Sequence, residues 1–388
     1  MLKMKECPTC NRTYSDISLS FCLSDGSVLS APYISEDFNN QQSSFKDEEA
    51  TLVLPKKEIK KLDVSIKYDS LYFGDDLSIS FKRTLKIPDD GKKYPLPASL
   101  GNFPIYKVSD YADSVPSEWN KHGGVFIPMY QREALFVEFY NSESWQPNIV
   151  KVATGKISAI TGEKWHHFLI EDEQDYVVVP PQQWLDGYKT GKNTVRQFVA
   201  MPLGQGYTVE SQLSDGETFG GIQIIVFKPK DGIFLPPPPR DEEYSFSLKR
   251  IEGSESFLEM GIGAGGKIEQ KIYEDEYGIE TWDENHYGRA YIHIVNSLMF
   301  KQITGLEPPS TPIDIETYQK YEIPWFEVYD EPLIDVKTPE KLYEVKPVNL
   351  IDKIKGVFKK DDFVSLNISE KNIKKIKISS DKVKDGDW

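Results

Sequence analysis

The chain has 388 residues, of which 39% are hydrophobic and 12% aromatic, with 25 prolines and 26 glycines. That content excludes a wholly disordered chain, which lacks the apolar surface to offset its ordering entropy, and the length allows two or three domains with sizeable cores. The formal charge of −15 is uneven: residues 337–388 carry a net of +4 and the remainder −19, so the body repels phosphate backbones and nucleic-acid binding through it is disfavoured.

Residues 1–30 open with MLKMKECPTC, which has no apolar stretch of the kind that makes a signal peptide. All three cysteines fall here, in the pattern Cys7-x2-Cys10, eleven residues, then Cys22-x2-Asp25. A C-x2-C turn aims two thiolates at one point, and a second such turn completes a tetrahedral zinc site. Asp25 stands where the fourth cysteine would be, and a carboxylate is an acceptable zinc ligand. So short a segment cannot bury enough surface to fold unaided, which gives a metal a physical role. CPTC and FCLSDG resemble the zinc-ribbon or rubredoxin-like knuckles of many bacterial proteins. The expectation is a structural Zn2+ held by Cys7, Cys10, Cys22 and Asp25, closed to substrate and used for docking or assembly. A metal-free fold and a redox role for Cys7 and Cys10 are the alternatives. Closely spaced free cysteines also fit a reducing compartment, and a cytoplasmic protein is expected.

Residues 31–61 are polar, Asn/Gln/Ser-rich and without periodicity, and read as a linker. The body, 62–334, reads as strands. In LSISFKRTLKI, positions 77, 79, 81, 85 and 87 are apolar and the even positions polar, the mark of a half-buried strand. Further strands are expected at 134–139, 148–154, 175–179, 195–201, 207–213, 221–227 and 243–250, divided by turn formers such as PDDGKKYP, YKTGKN and SDGETFGG. Together they predict a mainly β (α+β) fold with an antiparallel β-sandwich-like body. IFLPPPPR (233–240) reads as a stiff connector at which the body can subdivide. GRAYIHIVNSLMFKQITG predicts a helix near 288–304, with Ile292, Val295, Met299 and Ile303 on one face and Gly305 as its stop. A short helix is expected near 314–321. Residues 335–388 form a Lys-rich appendage whose alternation in FVSLNI and IKKIKI suggests a hairpin; its charge reads as a solvated face, with an acidic partner as the alternative.

Candidate chemistry in the body is sparse. The histidines are His122, His166, His167, His286 and His293. Adjacent His166 and His167 on a strand point to opposite faces and cannot share a metal. His286 and His293 are seven apart, about 10 Å along a helix, too far for one ion. EDEYGIETWDE misses the calcium-loop pattern and reads as a solvated acidic loop. Nucleophile-elbow, phosphate-loop and metalloprotease motifs are absent, and MGIGAGGK (260–267) lacks the strand and helix of a dinucleotide fold and reads as a flexible turn. Gln131, Arg132, Glu133, Trp184, Asp186, Arg196 and Gln197 are the polar residues with settings suited to a cleft, although buried ion pairs are their ordinary explanation. GGVFIPMYQREALF, RQFVAMPLGQGYTVESQ, FGGIQIIVF and AYIHIVNSLMFKQITG resemble phrases of an uncharacterised bacterial protein family. That resemblance implies one continuous body and assigns no catalytic residue. The leading expectation is therefore a non-enzymatic cytoplasmic interaction or assembly component, with a protein partner or its own copies and no membrane partner. The alternative is an enzyme or small-ligand binder with a cleft in the β body, recognisable by convergence of His, basic and carboxylate groups in one pocket.

Overall fold

The structure, a computed structural model, describes residues 3–8, 13–14, 27–30, 33–34, 59–170, 173–216, 219–235, 259–329, 333–357, 366 and 368–377. The chain divides into two compact units, Met1–Lys57 and Glu58–Trp388. In the first, Lys3–Glu6 pairs antiparallel with Thr13–Tyr14 and with Tyr33–Ile34. Cys7 directly follows that strand and is buried. Cys10, Cys22 and Asp25 lie outside the described residues, as do 35–58 of the expected linker. Both described ends of that stretch are strands: Tyr33–Ile34, and Lys60–Lys61, which runs parallel to Trp282–Val295. Backbone pairing demands no apolar period of the strand that is added, so composition alone misses it.

The second unit is mainly β, with antiparallel pairing dominant and few helices. Leu77–Thr84 pairs antiparallel with Ala134–Asn141 from Leu77 opposite Asn141 to Thr84 opposite Ala134. Asn148–Thr154 lies between Val177–Val179 and Ile222–Pro229, and the latter pairs onward with Trp282–Val295. Thr194–Pro202 joins Gly187–Gly191 to Glu259–Glu269. Leu77, Ile79, Phe81, Leu85 and Ile87 all enter the main apolar core, as their spacing predicts. Their strand is buried on its other face too: Ser78 and Ser80 are also covered, and the hydroxyl of Ser80 pairs with that of Ser70 at 2.8 Å. Small hydroxyls with a partner are inexpensive to bury, which is how a polar alternation ends inside.

Three expectations are corrected. MGIGAGGK is not a turn but part of the strand Glu259–Glu269; its missing side chains let other backbones come close, since a Cβ on Gly266 would stand 2.3 Å from the carbonyl oxygen of Pro88. YTVESQL is a short helix, Val209–Leu213, because Thr208 caps it by accepting from the Ser211 amide at 3.1 Å. The helix of 288–304 begins only at Ser297: Trp282–Val295 is a strand, and Asn296 accepts from the amides of Leu298 and Met299 at 3.1 and 3.0 Å. Gly305 ends it in the left-handed region, as expected. Ile373–Lys377 is a strand that pairs in parallel with Trp325–Tyr329, while most of FVSLNI, the other arm of the expected hairpin, lies outside the described residues. The short helix Ile315–Lys320 occurs as read. The expected strand at 243–250 and prolines 236–239 lie outside the described residues. Among the described residues no helix is long and apolar enough to cross a membrane.

Candidate functional site

The strand Asn148–Thr154, NIVKVAT, is buried along its length. Alternation sends Val150 and Val152 into the main core and Ile149 to the opposite side, where it meets a second apolar cluster with Leu169, Val178, Ile225, Phe227 and Trp282. Lys151 shares the face of Ile149 and its side chain is 1% exposed. An ammonium withdrawn so far from water must be compensated at once. The chain between Ile157–Ser158 and Val177–Val179 folds back over this face and supplies the compensation. Lys151 Nζ donates to the carbonyl oxygen of Phe168 at 2.6 Å and lies 2.7 Å from Asp175 Oδ2 and 3.1 Å from His166 Nδ1. Its charge also stands over the Trp165 ring, 5.7 Å from the centroid. His166 Nε2 is 3.2 Å from the same Asp175 oxygen. Lysine, imidazole and carboxylate thus converge from a strand and one loop.

Burial sets the electrostatics of this cluster. It pushes Lys151 below the usual ammonium range against the pull of Asp175, and pushes the Asp175 carboxyl up against the pull of Lys151. His166 is lowered by burial first and then by the Lys151 charge, so it is neutral at physiological pH. Its Nδ1 lies 2.8 Å from the Phe168 carbonyl as well as beside Lys151.

Two buried atoms of this cluster, His166 Nε2 and Asp175 Oδ1, make no hydrogen bond. Such atoms are few in native proteins, and each calls for an explanation. Both side chains line a cavity of ≈ 430 Å³, together with Thr161, Glu163, Glu173 and Lys341. A neighbouring hollow of ≈ 620 Å³ shares Thr161, Glu163, Glu173 and Lys341 and extends to Glu274 and Glu340. Gly162, at φ +74°, makes the close approach of Lys341 and Leu342 possible: a Cβ there would meet Leu342 Cγ at 2.9 Å. Lys341 then reaches the mouth and forms an ion pair with Glu163 at 2.5 Å. A donor such as a hydroxyl or ammonium group fits Asp175 Oδ1. Glu171 and Asp172 lie outside the described residues.

A third hollow, ≈ 310 Å³ and lined by Gln182, Trp184, Gln270 and Phe326, contrasts with this one. The amides of Gln182 and Gln270 are committed: Gln182 bonds Trp184, Lys271 and Tyr273, and Gln270 bonds Trp184 and Asp186. The remaining residues singled out in the sequence serve the fold. Arg132 forms a two-pronged pair with Asp352, both contacts at 2.7 Å, and Arg83 donates to buried Glu133 at 2.7 Å. Arg196 meets Asp89 at 2.9 Å, Gln197 bonds the backbone of Leu85 and Ile87, and Gln131 is exposed. Asp186 is buried against Gln270, which leaves its carboxyl pushed up to about 7 by burial.

His166 and His167 lie in a loop and not on the expected strand, yet they turn to different surroundings: His167 Nδ1 lies 3.0 Å from Arg289 Nη1, and burial lowers its imidazole to about 4. His293 is stacked between Trp119 and Tyr291, with His122 on the far side of Tyr291. His286 and His293 sit on a strand, not a helix, so their odd separation puts them on opposite faces. The loop 274–281 is not simply solvated, since Asp275 accepts from Tyr176 Oη at 2.8 Å and from the Trp282 indole at 2.7 Å. Among the described residues no three His, Cys, Asp or Glu side chains are placed to hold a metal ion. Lys151 and Asp175 were not singled out from the sequence; the available signal was a lone lysine inside an apolar strand, NIVKVAT, followed by a strand that opens on aspartate, DYVVV. Compared with protein-family models, curated proteins and solved structures, the chain has no match.

Proposed function

We propose that the body is a ligand-binding domain whose cavity, walled by His166 and Asp175, takes a small polar molecule, with Lys151 holding both side chains in place. The observation that carries this reading is a pair of buried atoms with no hydrogen bond, His166 Nε2 and Asp175 Oδ1, on two side chains that line one cavity. Leaving a buried donor or acceptor unpaired costs about 1–3 kcal/mol, and a ligand that pairs them recovers that cost. The test is a thermal-shift screen of the full chain against polyols, amino acids, amines and carboxylic acids, repeated on His166→Phe and Asp175→Asn. At least one class should raise the melting temperature of the parent and of neither variant. A screen in which nothing shifts the parent, or in which the variants shift equally, overturns the reading.

For the N-terminal unit we propose the structural Zn2+ of Cys7, Cys10, Cys22 and Asp25, serving docking or assembly in the cytoplasm. Its support is the Cys7-x2-Cys10…Cys22-x2-Asp25 spacing, together with the burial of Cys7 directly after a paired strand. Native mass spectrometry tests it: one zinc per chain, lost in Cys10→Ser, is the expected result, and a metal-free parent overturns it.

A further inference from the structure

The charges around the cavity narrow what it can take. Besides Asp175, the cavity and the hollow beside it are lined by Glu163, Glu173, Glu274, Asp275 and Glu340. Asp275 is spent on Tyr176 and Trp282. The cations of the same wall are Lys164, Lys337 and Lys341, and Lys164 is exposed. The excess of carboxylates is felt locally: Glu173 is held above the usual carboxylate range first by desolvation and then by repulsion from Glu163, with Asp175 and Glu340 adding to it. Lys341 relieves that repulsion from the mouth, where it pairs with Glu163 while its own side chain remains 51% exposed. An ion pair that open to water is weak, at about 0–1 kcal/mol. It is easily exchanged for another cation.

The geometry also says which cation. No three of these carboxylates and imidazoles converge tightly enough to ligate a metal ion among the described residues. Their oxygens are instead spread along a wall of two adjoining hollows, which suits a group that distributes several N–H donors over several acceptors. Among them, Asp175 Oδ1 is buried and makes no hydrogen bond. We propose that the cavity recognises an organic ammonium group, and that Lys341 is its built-in stand-in, leaving Glu163 when the ligand enters. This deepens the small-ligand reading above and rests on it.

The experiment separates the two. The full chain is titrated with 1,4-diaminobutane, with 1-butanol and with butyrate, following the His166 ring resonances by NMR, and each titration is repeated on Lys341→Ala and Glu173→Gln. Lys341 is exposed and Glu173 carries no fold contact beyond its charge, so both variants should fold; circular dichroism checks this. The expected result is saturable binding of the diamine alone. Lys341→Ala should tighten it by up to about fivefold, because a weak internal competitor is gone, and Glu173→Gln should weaken it by a similar factor. If butanol or butyrate moves the His166 resonances as strongly as the diamine, or if Lys341→Ala weakens diamine binding, the ammonium inference is overturned while the cavity stands. If no probe moves them, both fall.

Discussion

Replacing Lys151 by methionine removes the charge and keeps most of the stem. The ammonium it removes is bonded to Phe168, lies against Asp175 and His166, and is 1% exposed. What remains is a buried carboxylate whose Oδ1 has no partner and whose Oδ2 faces only an imidazole. Breaking a buried pair from one side costs about 3–5 kcal/mol, because the surviving charge is uncompensated. Total stability is about 5–15 kcal/mol, so the variant still folds. With a urea m-value of about 3 kcal/mol per molar, the midpoint falls by about 1–1.7 M. Adding Asp175→Asn removes the stranded charge, so the double variant should be more stable than Lys151→Met alone, with a coupling of at least about 2 kcal/mol. The His166 imidazole supplies an independent readout, since the lysine charge that depresses it is gone and its titration moves up. Urea denaturation of the four-member cycle and an NMR titration of His166 measure both. A loss under about 1 kcal/mol, or strict additivity, would refute the claim that these three groups form one electrostatic unit.

Asp186 should make stability depend on pH. Its folded carboxyl is pushed up to about 7 by burial, so between the ordinary carboxylate range and pH 7 the folded state keeps a proton that the unfolded state has released. Stability therefore falls as pH rises through that window, by about 1.4 kcal/mol per unit, and levels above it; Asp186→Asn should flatten urea midpoints measured from pH 5 to 8, and an unchanged slope would count against the burial. Gly187→Ala places a Cβ 1.8 Å from the Arg196 carbonyl oxygen, in the backbone of the paired strand; a loss of about 3 kcal/mol or more is expected in denaturant midpoints, and parent-like stability would contradict that register. Asn296→Ala should cost about 0.5–2 kcal/mol and Asn296→Asp should restore it; an unchanged melting temperature in the alanine variant would deny the cap a role.

The sequence by itself determined the fold class and most strand positions. Period-two runs such as LSISFKRTLKI and apolar runs such as GIQIIVF encode their environment locally, because each side chain reports which face of a pleat it occupies. Local reading failed where one side chain, or the lack of one, decided between states: the side chains of Thr208 and Asn296 start helices by capping, and GIGAG enters a sheet because neighbouring backbones need its empty space. Only the tertiary structure decided the site. Lys151, His166 and Asp175 are unremarkable in order along the chain, and their chemistry arises because a loop folds back over one strand face and brings three ionisable groups into 2.7–3.2 Å of one another. Lys341 comes from far along the chain to the mouth of the same cavity, where Gly162 leaves room for Leu342 beside it. Desolvation, which dominates the electrostatics of Lys151, His166 and Asp175, depends on what covers a residue, and no spacing in the sequence carries that information.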